Sequence, residues 1–215
     1  MRQREPVKLY FDYKSPFSYL AVEPAFALEQ RFAVELRWIP YLLRIKGKGE
    51  RSVYSEWKVR YSYFDARRAA NARGGLLIRG PRKVYDSTPA LIGGLFAQRA
   101  GFFPGFTRAV FARFFDHRLE IDVPEAIAAL IGELGGAPAA YRDYLVGEGA
   151  LAFEACVTEG LRDHIFGVPI FHFRDEPFWG QDRVPLLEQR LREAGLERAE
   201  PAAGPLAAPG PGSGS

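Results

Sequence analysis

Val7-Lys8-Leu9-Tyr10-Phe11-Asp12-Tyr13-Lys14-Ser15-Pro16-Phe17-Ser18-Tyr19-Leu20-Ala21 is the stretch that decides the fold. The apolar run Val7–Phe11 reads as a buried strand. Ser15-Pro16 then opens a helix: serine suits the N-cap, and proline suits the first helical position, where its missing N–H costs nothing. A hydroxyl and several unpaired backbone N–H groups come to lie at the positive end of a helix dipole, beside a strand end, where an anion is stabilised. Ser15-x-x-Ser18 stands where a thiol–disulfide enzyme would carry Cys-x-x-Cys, so a thiolate held here must come from a ligand. A Ser-Pro helix start is most often a cap and nothing more, so the case for function has to come from the rest of the chain.

Working outward, the 215 residues suffice for one domain with an insertion. Aromatic residues reach 14%, enough for a large core or an aromatic-lined pocket. Cys156 is the single cysteine, which excludes an internal disulfide, an internal Cys-x-x-Cys and a multi-cysteine zinc site, and points to a cytoplasmic protein. No apolar run approaches the roughly 18–20 residues of a membrane span, so no membrane association is expected. Residues 200–215, rich in Pro, Ala, Gly and Ser, read as a disordered tail.

Charge is uneven. Residues 44–83 hold twelve Lys/Arg against three acids, a local charge of +9, leaving −6 for the rest of a chain whose net charge is +3. Such a field favours anionic ligands, either nucleic acid or small carboxylates, unless it is only a solvated helix face.

The remaining pattern splits into two ends and a middle. Val34–Ile39 reads as a second strand, parallel to the first through a right-handed crossover. Helical patterns fill the next hundred residues: Glu56–Arg73, Thr88–Ala100 capped by Asp86-Ser87, Phe106–Phe115 after a break at Gly101 and Pro104, then Pro124–Leu134, Pro138–Val146 and Glu148–His164. Strand character returns at Val168–Phe173, a hairpin brings back Phe178-Trp179, and Asp182 caps a last helix to about Ala194. The order βαβ, helical block, ββα predicts an α/β thioredoxin-like fold, with residues 7–43 and 165–195 forming the framework and 44–164 a helical insertion.

Two further elements join the first. In Gly167-Val168-Pro169-Ile170-Phe171 a proline sits at a strand start; in thioredoxin-like folds this loop faces the first helix and its proline is cis. Its exposed backbone can then pair with an extended peptide. In Phe178-Trp179-Gly180-Gln181-Asp182-Arg183, Asp182 reads as a cap or as a partner for a ligand ammonium.

These three motifs, in this order, resemble the 2-hydroxychromene-2-carboxylate isomerases, which with the kappa-class glutathione transferases form a cysteine-free branch of the DsbA-like thioredoxin superfamily. Lys58-Val59-Arg60-Tyr61, Asp65 and Arg67-Arg68 also resemble the family's basic first insertion helix, and the likeness covers about residues 7–195. It implies a glutathione cofactor, with Ser15 at the sulfur as the catalytic residue. Ser15, Phe17, Val168, Pro169, Gln181 and Asp182 would form the cofactor site, Val168 on the peptide backbone and Gln181 with Asp182 on the γ-glutamyl end. The sequence departs from the family pattern in having no Asn in Arg51–Ser55 and in carrying Ile170 after the proline, where Thr is frequent.

The implied chemistry is reversible addition of the thiolate to a conjugated aromatic acid. A free thiol with a pKa near 8.5 is only about 3% thiolate at pH 7, and lowering that value by about two units takes about 2.7 kcal/mol. Ser15 would act as a hydrogen-bond donor, not a nucleophile, since no motif supplies a base. Lys46, Lys48, Lys58 and Arg60 are the candidates for binding the carboxylate of a small aromatic substrate. Cys156 reads as a core residue, and His117, His164 and His172 lack metal-ligand spacing. A kappa-like transferase and a non-catalytic thioredoxin-like binding protein stay open as alternatives. Nucleic-acid binding is disfavoured by the absence of a recognised motif, and a homodimer is expected only through the resemblance.

Overall fold

A computed structural model describes residues 4–44 and 52–199. Four strands, β1 (Glu5–Phe11), β2 (Val34–Pro40), β3 (Ile170–Phe173) and β4 (Glu176–Trp179), form one sheet in the order β2-β1-β3-β4. β1 and β2 are parallel and joined by helix α1 (Pro16–Arg31); β3 runs antiparallel to β1 and β4 antiparallel to β3. This is the predicted βαβ…ββα frame, an α/β thioredoxin-like fold. Between its halves lie α2 (Val53–Ala72), α3 (Thr88–Ala100), α4 (Phe103–Phe115), α5 (Pro124–Glu133), α6 (Pro138–Val146) and α7 (Glu148–Arg162); α8 (Val184–Glu193) ends the fold.

Strand alternation sorts β1 onto two faces. Val7, Leu9 and Phe11 point into the larger core, which runs without a break through Leu20 and Leu28 of α1, Leu187 and Leu191 of α8, and Phe106, Phe111 and Ile127 of the helical block. Tyr10 points the other way, into a smaller cluster with Ile39, Ile165, Val168 and Ile170. Lys8 shares that second face, where it meets Glu159 and Asp163 on and just beyond α7. No helix of the described residues is long and apolar enough to cross a membrane.

Three local expectations change. Pro104 does not break a helix: it occupies the first turn of α4, where a proline needs no N–H partner, so the helix begins at Phe103 rather than near residue 106. Ser87 makes no cap bond, because its hydroxyl is turned inward to Asp12, and Asp86 instead accepts from the Thr88 N–H at 3.0 Å. Asp182 is not an N-cap either; it lies inside a short 3-10 turn, Gln181–Arg183, and pairs with Arg183 at 2.8 Å.

Candidate active-site cleft

Ser15 is the N-cap of α1 and is buried. Its Oγ accepts from the Ser18 N–H at 3.1 Å and donates to the Val168 carbonyl at 3.2 Å. One hydroxyl thus holds the helix start against the Val168–Pro169 loop, whose peptide bond is cis. The Pro169 carbonyl accepts from the Gly180 N–H at 2.9 Å, which ties in the third motif. Gly180 has φ of 112°, and a Cβ there would lie 2.4 Å from Asp182 Oδ1, so the turn that presents Gln181 and Asp182 requires glycine.

These three elements line a cleft of about 880 Å³. Phe17, Tyr63, Tyr85, Phe114 and Trp179 give it aromatic walls, and Lys14, Arg82, Lys83 and Arg183 bring positive charge. Burial pushes the Tyr63 hydroxyl up to about 12, so it stays protonated at neutral pH.

Asp12 is fully buried beneath the site. Oδ1 accepts from Ser87 Oγ (2.6 Å) and the Lys14 N–H (3.0 Å), and Oδ2 from the Leu43 N–H (2.8 Å). Burial still raises its carboxyl above the ordinary value, against the pull of Lys14 and these bonds. Lys14, nearly buried itself, places Nζ 3.5 Å from Asp12 Oδ2 and donates to the Leu43 carbonyl at 2.9 Å.

At the other end, Arg73 at the close of α2 donates through Nη1 to the Leu20 carbonyl (2.9 Å) and through Nη2 to Gln181 Oε1. A guanidinium only donates, so the amide atom facing it must be oxygen, and Gln181 offers its NH₂ edge as the group left for a ligand.

Of the residues singled out from sequence, Ser15, Phe17, Val168, Pro169, Gln181 and Asp182 come together around this cleft. Lys58 and Arg60 do not line it. Val59, Ser62, Tyr63 and Asp65 form the α2 face that does, and one residue to either side of Val59 is a turn of 100° away, leaving both cations exposed. Lys46 and Lys48 lie outside the described residues. Cys156 packs against the smaller cluster on the far side of the sheet, where burial raises its thiol to about 11.

Sequence reasoning missed Arg73 and the site role of Lys14. The signal for Arg73 was Pro24: a proline inside α1 leaves the carbonyl four residues earlier, Leu20, without its helical donor.

The DSBA-like thioredoxin domain family matches residues 6–192 of the chain. A 2-hydroxychromene-2-carboxylate isomerase of Pseudomonas putida is 28% identical over 194 residues, covering 86% of this chain and 93% of that protein. A solved 2-hydroxychromene-2-carboxylate isomerase structure superposes with a TM-score of 0.71 at 24% identity, covering 88% of this chain and 96% of the other. The cytosolic disulfide reductase DsbM of Pseudomonas aeruginosa shares the fold, with a TM-score of 0.62 at 19% identity over 87% of this chain and 99% of its own.

Proposed function

The chain belongs to the DSBA-like thioredoxin domain family, and from that premise we propose that it is a glutathione-dependent isomerase of the 2-hydroxychromene-2-carboxylate type. The observation that carries this reading is the Ser15 hydroxyl, set at the α1 N-terminus against the Val168 carbonyl in an aromatic-walled cleft. The named similarity to isomerases supports it. Dithiol chemistry is closed to a chain whose one cysteine lies behind the sheet.

The residues present fit glutathione. The Gln181 NH₂ edge suits the α-carboxylate of a γ-glutamyl group and the Asp182 carboxylate its ammonium, which together select an amino-acid zwitterion. The cis-proline loop at Val168 suits an extended peptide backbone. When bound, glutathione would supply a thiolate that adds reversibly to a conjugated carbon of the substrate and leaves unchanged once the adjoining bond has rotated. Ser15 would turn its O–H from Val168 toward the sulfur, and the α1 N-terminus would favour the charge. Phe17, Tyr63, Tyr85 and Trp179 would hold an aromatic ring and keep water from it.

Calorimetry with glutathione, paired with an absorbance assay of 2-hydroxychromene-2-carboxylate conversion with and without it, tests the reading. Saturable binding and glutathione-dependent turnover are expected. No binding at millimolar glutathione would sink it.

A further inference from the structure

Among the described residues, four cations reach the cleft, and they differ in how far the protein already neutralises them. Lys83 contacts Asp122 at 2.9 Å and Glu120 at 3.4 Å, and Arg183 pairs with Asp182 at 2.8 Å. Arg82 is exposed on the rim. Lys14 is different: it is the buried one, 7% exposed, on the cleft wall beside Ser15.

A Lys ammonium carries three donors. Among the described residues, Nζ of Lys14 has one acceptor at hydrogen-bond distance, the Leu43 carbonyl at 2.9 Å. Its counter-charge, Asp12, lies 3.5 Å away, longer than a charge-assisted hydrogen bond. Asp12 cannot come to meet it, because its two oxygens are held by Ser87 and by the backbone N–H groups of Lys14 and Leu43. The arrangement fixes an ammonium in place by charge while leaving donors unsatisfied. A buried polar group left so is costly unless something completes its bonding.

The space in front of it defines what completes it. The walls are largely aromatic, with Tyr63, Tyr85 and Trp179 among the lining residues. Gln181, whose Oε1 accepts from Arg73, lines the cleft as well, together with the carboxylates of Asp65 and Asp182, the latter paired with Arg183. Lys14, the one buried cation among the described lining residues, sits beside aromatic walls, and such a pairing fits a monoanionic aromatic acid better than a phosphate, which calls for several donors.

We propose that Lys14 is the specificity-determining cation of the cleft, binding the carboxylate of a planar aromatic acid while Asp12 holds it in position. This rests on the functional reading above for the reaction, but the binding it describes needs no glutathione. It moves carboxylate recognition from the basic insertion to the residue beside Ser15.

The experiment is calorimetric titration of the full-length protein with trans-cinnamate and, separately, with its neutral amide, without glutathione. Wild type is expected to bind the acid about tenfold to a hundredfold tighter than the amide. Lys14→Met is expected to abolish that preference while leaving amide affinity in place, and Lys14→Arg to keep part of it. Because Lys14→Met leaves Asp12 buried without its counter-charge, the Asp12→Asn/Lys14→Met double variant supplies the same comparison if the single one does not fold. A wild type indifferent to charge, or a Lys14→Met or double variant that keeps the preference, overturns the proposal. A parallel glutathione titration separates the two readings: loss of glutathione binding with the acid preference intact strikes the isomerase reading and leaves Lys14 in its role.

Discussion

Arg73 donates to the Leu20 carbonyl at 2.9 Å, and that carbonyl is available because Pro24, one helical turn on, has no N–H to give it. A proline in α1, which by itself weakens the helix, thereby becomes the anchor for a guanidinium that also grips Gln181 Oε1. The orientation of one amide in the cleft depends on a helix irregularity in another part of the sequence.

Arg73→Met is therefore expected to free the Gln181 amide and expose the Leu20 carbonyl to no donor. Glutathione affinity should fall about tenfold, and stability by about 1.5–3 kcal/mol, the range for hydrogen bonds from a charged donor. Chemical denaturation and calorimetry read the two effects separately. Pro24→Ala returns an N–H to Leu20 and should lower affinity in the same direction without the stability loss. Unchanged glutathione binding in both variants would show that Gln181 needs no such support.

Ser15→Ala removes two bonds at once, the cap to the Ser18 N–H and the donor to Val168. The cap alone predicts a loss of about 0.5–2 kcal/mol. The thiol of bound glutathione should titrate at higher pH than in wild type, followed by ultraviolet thiolate absorbance, and turnover should fall. A variant with full turnover and an unmoved thiol titration would remove Ser15 from the chemistry.

The frame was legible in the sequence because it rests on local signals: the apolar runs of β1 and β2, the Ser15-Pro16 cap, and the Pro169 strand start. Six of the ten site candidates, Ser15, Phe17, Val168, Pro169, Gln181 and Asp182, gather at one cleft for the same reason, since each sits in a short motif at an element end. What failed was orientation. Lys58 and Arg60 were chosen by charge, yet on a helix charge says nothing of face, and the inward positions are Val59, Ser62, Tyr63 and Asp65. Arg73 and Lys14 act through partners distant in sequence, Gln181 in one case and Leu43 in the other, and no local pattern announces such pairs.

Behind the sheet, acid should loosen the attachment of α7. Burial opposes ionisation of Glu159 and Asp163, but hydrogen bonds from Lys8 to both, with Arg37 on the first and Tyr10 on the second, outweigh it and hold both carboxyls below their ordinary values of 4.5 and 3.8. A depressed carboxylate stabilises the fold fully above its unfolded value, and that contribution is lost as pH falls through the folded one. Stability should therefore decline as pH drops below about 4.5. Lys8→Met should flatten that dependence and cost about 1–3 kcal/mol at neutral pH. Denaturant midpoints measured across acid pH check both; a Lys8→Met profile parallel to wild type would assign the acid sensitivity elsewhere.

Two helical glycines make a paired test of the packing that supports the cleft. Gly93 in α3 faces Ile127 and Phe106, and a Cβ there would lie 2.8 Å from Ile127 Cγ2 and 2.9 Å from Phe106 Cζ. Alanine would gain about 1 kcal/mol of helix propensity, but it must displace two side chains of a filled core, which costs about 1–3 kcal/mol. Overpacking should win, so Gly93→Ala is expected to destabilise. Gly105 in α4 has nothing within 4 Å of the corresponding Cβ, and its φ is not positive. There only propensity and the narrower unfolded ensemble act, and Gly105→Ala should stabilise by about 0.4–1 kcal/mol. Thermal melts of both variants decide the matter, because the opposite signs depend on what each new Cβ meets, a filled core at Gly93 and open space at Gly105; equal shifts would mean that α3 can slide away from α4 and α5 without loss.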